Sequence, residues 1–203
     1  MKTYVAAYIE ISPGHTAQAI PLMEEYRTLS GDQEGFVGID ILQEIHRHNR
    51  FVVIEEWNDE SSFQVHEAAH DTAQFRSRLR NIHKSPYDQR VHHDFAVGPR
   101  SGAVTSSALF VVTHVDVPPP RKDETEALLT NVAGQIRSNK GNLRFDVFQQ
   151  NAPRLNHFTI ISVWSDESAF ALHEANAETR LFREALGPML GALYDERIYR
   201  QIP

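Results

Sequence analysis

Residues 66–70 read His-Glu-Ala-Ala-His, which matches the pattern in which two histidines four apart on a helix share a zinc ion and the glutamate acts as general base. The chain itself argues against that reading. The stretch returns 107 residues later as His173-Glu174-Ala175-Asn176-Ala177, so the partner of His70 is alanine. Where a third ligand would follow at the usual spacing stand Ala73-Gln74-Phe75-Arg76. No metal site is expected. What recurs is one histidine per copy, His66 and His173, each three residues after a phenylalanine, Phe63 or Phe170. A neutral imidazole, with an ordinary pKa near about 6.5, can take a phenolic proton. It can equally be a packed histidine hydrogen-bonded to backbone beneath a sheet. Asp40 and Asp146 also recur; each could orient a hydroxyl or, if desolvated, act as a base, and for Asp146 a salt bridge to Arg144 is the competing reading. Trp57 and Trp164 could stack on a substrate or simply pack a corner of the core.

Composition narrows the classes of function. The 203 residues carry 20 basic and 27 acidic side chains, a net charge of −7, with no basic stripe, so nucleic acid and anionic membrane are poor partners. There is no cysteine, which removes disulfides, thiol catalysis and cysteine-bound metals and suits a reducing cytoplasm. The apolar run Tyr4–Ile9 is too short for a signal peptide or a membrane span.

The candidate residues sit in an internal repeat. Residues 51–79 and 158–186 share 14 of 29 identities without a gap, including the Trp57/Trp164 pair and the Asp-Glu-Ser that follows. Upstream the match runs on at an offset of 106 through Gly35/Gly141 and Asp40/Asp146. The chain is therefore read as two homologous domains, 1–98 and 107–203, joined by a Gly/Pro/Ser-rich linker at 99–106.

Each half must position its histidine with the same elements. β-Rich runs at 4–11 and 108–117 stop at prolines and lead to helices, the second with Leu128, Leu129, Val132 and Ile136 on one face. Alternating strands at 36–44 and 141–150, a hairpin, and strands at 51–57 and 158–164 follow, and Asn58-Asp59 and Ser165-Asp166 are placed to cap the next helices. Strands near 87–97 and 192–201 close each half. The order β-α-β-β-α-β, twice, is the ferredoxin-like unit, an α+β class. Its helices cover one sheet face only. Leu42, Phe148, Ile54 and Ile161 make the other face apolar, so the two sheets are expected to pack on each other as an intramolecular α+β barrel, with a small-molecule cavity between them.

The strand–hairpin–strand ending in Glu56-Trp57-Asn58-Asp59-Glu60-Ser61, followed by Phe63 and His66, resembles the antibiotic biosynthesis monooxygenase family, and GNLRFDVFQQ at 141–150 resembles its second strand. The resemblance covers nearly the whole chain, once per half, and implies the dimeric α+β barrel superfamily with two fused copies. It also implies oxidation of a quinol or phenolic aromatic small molecule with dioxygen and no cofactor, and suggests a homodimer of the whole chain. His66, Asp40, His173 and Asp146 are then the candidate catalytic residues. Trp57, Phe63, His70, Tyr8, His114, Arg144, Phe148, Trp164 and Phe170 are the candidate substrate contacts. The alternative is a non-enzymatic ligand-binding or stress-associated protein. Heme degradation, known in relatives, is not expected, since Ala7/Thr113, His66/His173 and Leu79/Leu186 stand where those relatives carry asparagine, a bulky aromatic and an axial histidine. The copies differ at Tyr8/His114, Gly38/Arg144, Leu42/Phe148 and His70/Ala177, so two unequal sites are expected: the first half, with more room and a titratable base, abstracts the proton, and the second binds an anion or nothing. His92-His93 has no counterpart and is expected on the surface.

Overall fold

The computed structural model describes residues 1–202 and divides them into two compact units, 1–93 with 201–202 and 94–200. The first unit contains β1 (Thr3–Glu10), α1 (Thr16–Gly31), β2 (Phe36–Glu44), β3 (Arg50–Trp57), α2 (Glu60–Ala68), α3 (His70–Arg80) and the start of β4 (Asp88–Ala96). The second contains β5 (Leu109–Asp116), α4 (Lys122–Ile136), β6 (Asn142–Gln150), β7 (His157–Trp164), α5 (Glu167–Glu174), α6 (Ala177–Leu186) and β8 (Asp195–Gln201) up to Arg200. The division falls at His93/Asp94, ahead of the glycine- and serine-rich stretch.

Each unit is an antiparallel sheet of the ferredoxin-like order. In the first, β1 lies between β4 and β3 and β2 pairs on the far side of β3; in the second, β5 lies between β8 and β7, with β6 beyond β7. The register assigns the faces. Phe51, Val53, Glu55 and Trp57 of β3 stand opposite Ile9, Ala7, Val5 and Thr3 of β1, and this set faces the helices, where Leu22, Met23, Tyr26, Phe75 and Leu79 complete the core. In the second unit Phe158, Ile160, Ser162 and Trp164 occupy that face, over Leu129, Val132, Ile136, Phe182 and Leu186.

Local chemistry sets the element ends. Prolines open 3-10 turns at Pro13–His15 and Pro119–Arg121 before α1 and α4. Asp59 Oδ1 accepts the Ser62 N–H at 2.8 Å and Asp166 Oδ1 the Ala169 N–H at 2.9 Å, the expected caps. Gly35 and Gly141 have φ of +82° and +83°, and a Cβ on either would strike Ser62 or Ala169 of the following helix, so glycine is required at both. The single helix anticipated after each cap is broken. Ala69 adopts extended angles (φ −68°, ψ 144°), and Asn176 does the same and caps α6 through its own side chain.

Candidate active site

The helix break decides the zinc pattern. His66 lies in α2 and His70 opens α3, so the two imidazoles do not project from one continuous helix face. His66 is buried, while His70 is exposed beside the Gln74 amide at 2.9 Å. The candidate residues then separate by sheet face. Trp57, Phe63 and His66 cluster on the helix side of the first unit, with ring centroids 4.7 Å apart for Trp57 and His66. Trp164, Phe170 and His173 repeat the cluster in the second, His173 stacked on Trp164 at 4.4 Å and 25°. Asp40, Tyr8, Asp146, His114, Arg144 and Phe148 all lie on the opposite face of their sheets. Neither Asp40 nor Asp146 therefore meets His66 or His173 of its own unit.

On that opposite face Asp146 is buried, accepting from Arg144 Nε at 2.6 Å and from the Gly98 N–H at 2.9 Å, and the Arg144 guanidinium lies 6.0 Å from the Phe148 ring. Asp40 accepts from Gln201 Nε2 at 3.4 Å, and Arg90 sits over the Tyr8 ring at 5.1 Å. His114 is half-buried. His92, expected on the surface, is only 1% exposed, because it lies on β4 directly across from Tyr4 of β1.

The first unit's histidine is enclosed by side chains that no motif marked. Glu55, 2% exposed, lies on the core face of β3. Its Oε1 is 2.6 Å from the Tyr26 hydroxyl and its Oε2 accepts the Trp57 Nε1–H at 2.9 Å. The Tyr26 oxygen is also 2.7 Å from His66 Nε2, and His66 Nδ1 is 2.9 Å from Gln33 Oε1. A tyrosine has one proton for these two short contacts, so a neighbour must supply the other. With Nδ1–H donating to the Gln33 oxygen, a neutral His66 has a bare Nε2 that accepts from Tyr26, and Tyr26 accepts from a protonated Glu55. The charge states agree. Burial lowers the His66 pKa to about 4, keeping it neutral, and burial raises that of Glu55 and, with Glu55 beside it, that of Tyr26.

The second unit has the same frame without the filling. Val132 replaces Tyr26 and Ser162 replaces Glu55. Thr179 Oγ1 donates to the His173 carbonyl at 2.7 Å, so at 3.1 Å from Nδ1 it is left to accept, which puts the proton on Nδ1 and leaves Nε2 bare. Among the described residues nothing hydrogen-bonds to Nε2. Burial lowers the His173 pKa to about 4. A recess lined by His173, Ser162, Thr113, Phe182, Arg183 and Glu196 among others encloses about 350 Å³ including its mouth, of which about 20 Å³ admits the centre of a water molecule. Arg183 is clamped at its rim by Glu174 (2.6 Å) and Glu196 (3.1 Å) over the Tyr194 ring. Arg76, Glu67, Gln89 and Tyr87 repeat that rim in the first unit. On this helix side the room lies in the second unit; the unequal sites expected at Tyr8/His114, Gly38/Arg144 and Leu42/Phe148 concern the other sheet face.

The cleft between first and last helices follows the same rule. In the first unit Arg78 donates to Glu25 at 2.6 Å across it and only about 10 Å³ remains open. Asn131 and Ala185 replace that pair in the second, and about 250 Å³ lies open between α4 and α6, with Val132, Leu181 and Phe182 in its lining.

A sequence model of the antibiotic biosynthesis monooxygenase family matches residues 3–78 and 108–185. The chain belongs to that family, carrying two of its domains in tandem. Membership supports a monooxygenase-type function. Among solved structures, a Fusobacterium nucleatum protein described as a "Putative monooxygenase" is 14% identical over 100% of this chain and 93% of its own, with a TM-score of 0.86. An "anthrone oxidase-like protein" is 13% identical over 100% of this chain and 91% of its own, TM-score 0.76. A major regulator of staphylococcal pathogenesis is 11% identical over the full length of both chains, TM-score 0.65. Identities this low establish the shared fold alone. No curated protein sequence matches the chain. Among the described residues no helix is long and apolar enough to cross a membrane.

Proposed function

We propose that this chain is a monooxygenase that oxidises a phenol- or quinol-type aromatic small molecule with dioxygen, and that the second unit carries the reaction without a bound cofactor. The observation behind this reading is the bare Nε2 of a neutral His173, together with the recess that His173 and Ser162 line, Ser162 standing where the twin unit places Glu55. In the reaction His173 Nε2 takes the phenolic proton, and the imidazolium so formed is stabilised by the face of Trp164 stacked against it. The phenolate ring carbon transfers its electrons to dioxygen and forms a C–O bond. Loss of the ring C–H proton and of water then leaves the quinone. Phenol and dioxygen thus become quinone and water, one oxygen atom in each. Entry of a ring requires the half-buried Phe170 and Arg183 at the recess to turn aside.

Binding without turnover is the second reading. An imidazole with a pKa of about 4 is a weak base toward a phenol until the anion itself is beside it. Oxygen-electrode assays across a panel of phenols and quinols, paired with calorimetric titration, separate the two. Uptake that is lost in His173→Ala supports the enzyme; saturable binding with no uptake supports the alternative.

A further inference from the structure

Tyr26 has the chemical form of a bound ligand. Its side chain is p-cresol attached to α1. The ring is stacked on Phe75 at 4.1 Å and 18°, and the hydroxyl meets His66 Nε2 at 2.7 Å and Glu55 Oε1 at 2.6 Å. Only 2% of the residue is exposed. Around it, Trp57, Phe63, His66, Thr72, Phe75 and Arg76 are identical to Trp164, Phe170, His173, Thr179, Phe182 and Arg183 of the second unit. The buried positions of α1 and α4 also correspond at an offset of 106, with Ala19, Met23, Tyr26 and Ser30 answering Thr125, Leu129, Val132 and Ile136. One frame therefore holds a phenol in one unit and a recess in the other.

We infer that the helix-side pocket of the first unit is a phenol-binding site filled in cis by Tyr26, with the hydroxyl recognised by His66 and Glu55 and the ring by Phe75. The ligand class is a para-substituted phenol small enough to overlay a tyrosine side chain, and the filled site leaves the second unit as the only one of the pair open to a free ligand. A hydrocarbon of the same shape is discriminated against, because it leaves the buried Nε2 and the Glu55 carboxyl unpaired. The inference concerns binding in the first unit and stands apart from the activity proposed for the second.

Tyr26→Val, which installs the second unit's own residue, tests it with p-cresol and toluene as probes. Calorimetric titration of the full chain should show one more p-cresol site per chain in the variant than in the wild type, and p-cresol should raise the variant's melting temperature above any rise in the wild type. Toluene should bind at least tenfold more weakly. The number of wild-type sites reports on the second unit separately, so a wild type with none and a variant with one keeps this inference while removing the proposed activity. Equal site numbers in the two proteins, or toluene binding as well as p-cresol, overturns it. If Tyr26→Val does not fold unaided, it is refolded with each probe. Recovery with p-cresol and not toluene supports the inference, and recovery with neither, or equally with both, overturns it.

Discussion

Tyr26→Phe isolates the hydroxyl of the buried network. The ring survives, so its stacking on Phe75 at 4.1 Å is kept and no cavity opens. Lost are the contacts of 2.6 Å to Glu55 and 2.7 Å to His66 Nε2. Both groups then lie buried with one partner missing, His66 1% and Glu55 2% exposed. Each orphaned buried polar group costs about 1–3 kcal/mol, so the substitution should cost about 3 kcal/mol in all. Urea unfolding followed by tryptophan fluorescence is the assay, with Trp57 reporting from 4.7 Å beside His66. The midpoint should fall with little change in slope. A loss below about 0.5 kcal/mol, the range of an ordinary surface substitution, would show that the hydroxyl is not the keystone of the network and refute the proton assignment.

Further outcomes follow from the same geometry. His66 stays neutral in the folded chain down to about 4, whereas in the unfolded chain it protonates near its ordinary 6.5, so its contribution is intact above 6.5 and erodes by about 3 kcal/mol as the pH falls to 4. Glu55 opposes this, since its raised pKa makes stability fall with rising pH above the ordinary carboxylate range; Glu55→Gln should therefore steepen the gain in stability between pH 4.5 and 7, and an unchanged or shallower profile by urea titration would contradict it. Gly35→Ala should cost about 2 kcal/mol or more, because its φ of +82° is strained for alanine and the new Cβ meets Ser62, while Gly38→Ala, in open space, should cost far less in the same thermal melts. His70→Ala should shift stability by less than about 0.5 kcal/mol and leave the metal content of purified protein unchanged, since His70 is exposed and off the α2 helix.

The repeat made the fold legible: 14 identities in 29 residues, period-two strands and two aspartate caps dictate the β-α-β-β-α-β order twice. The histidines and tryptophans were visible for the same reason. The break at Ala69 was hidden, because nothing in Ala68-Ala69-His70 disfavours a helix. The faces of Asp40 and Asp146 followed from alternation, yet their distance from the histidines depended on which face the helices cover. Tyr26 and Glu55 were missed because a search for shared residues passes over positions where the copies differ. Glu55 did carry a signal. It interrupts Phe51, Val53 and Trp57 on the apolar side of β3, where a carboxyl must be paired or protonated. His92 misled because a histidine pair without a counterpart looks like surface, whereas its place on β4 across from Tyr4 buries it.

Dioxygen consumption by a variant whose second unit is filled like the first tests the central claim most directly. Val132→Tyr with Ser162→Glu places a phenol and a carboxyl in front of His173, copying the arrangement that encloses His66. With a phenol or quinol that supports turnover, the wild type should consume one dioxygen per quinone formed, and His70→Ala should match it. The filled variant should lose at least a hundredfold in rate while keeping its circular dichroism and melting temperature. A folded, filled variant that consumes dioxygen as fast as the wild type would place the chemistry outside the His173 recess and contradict the account.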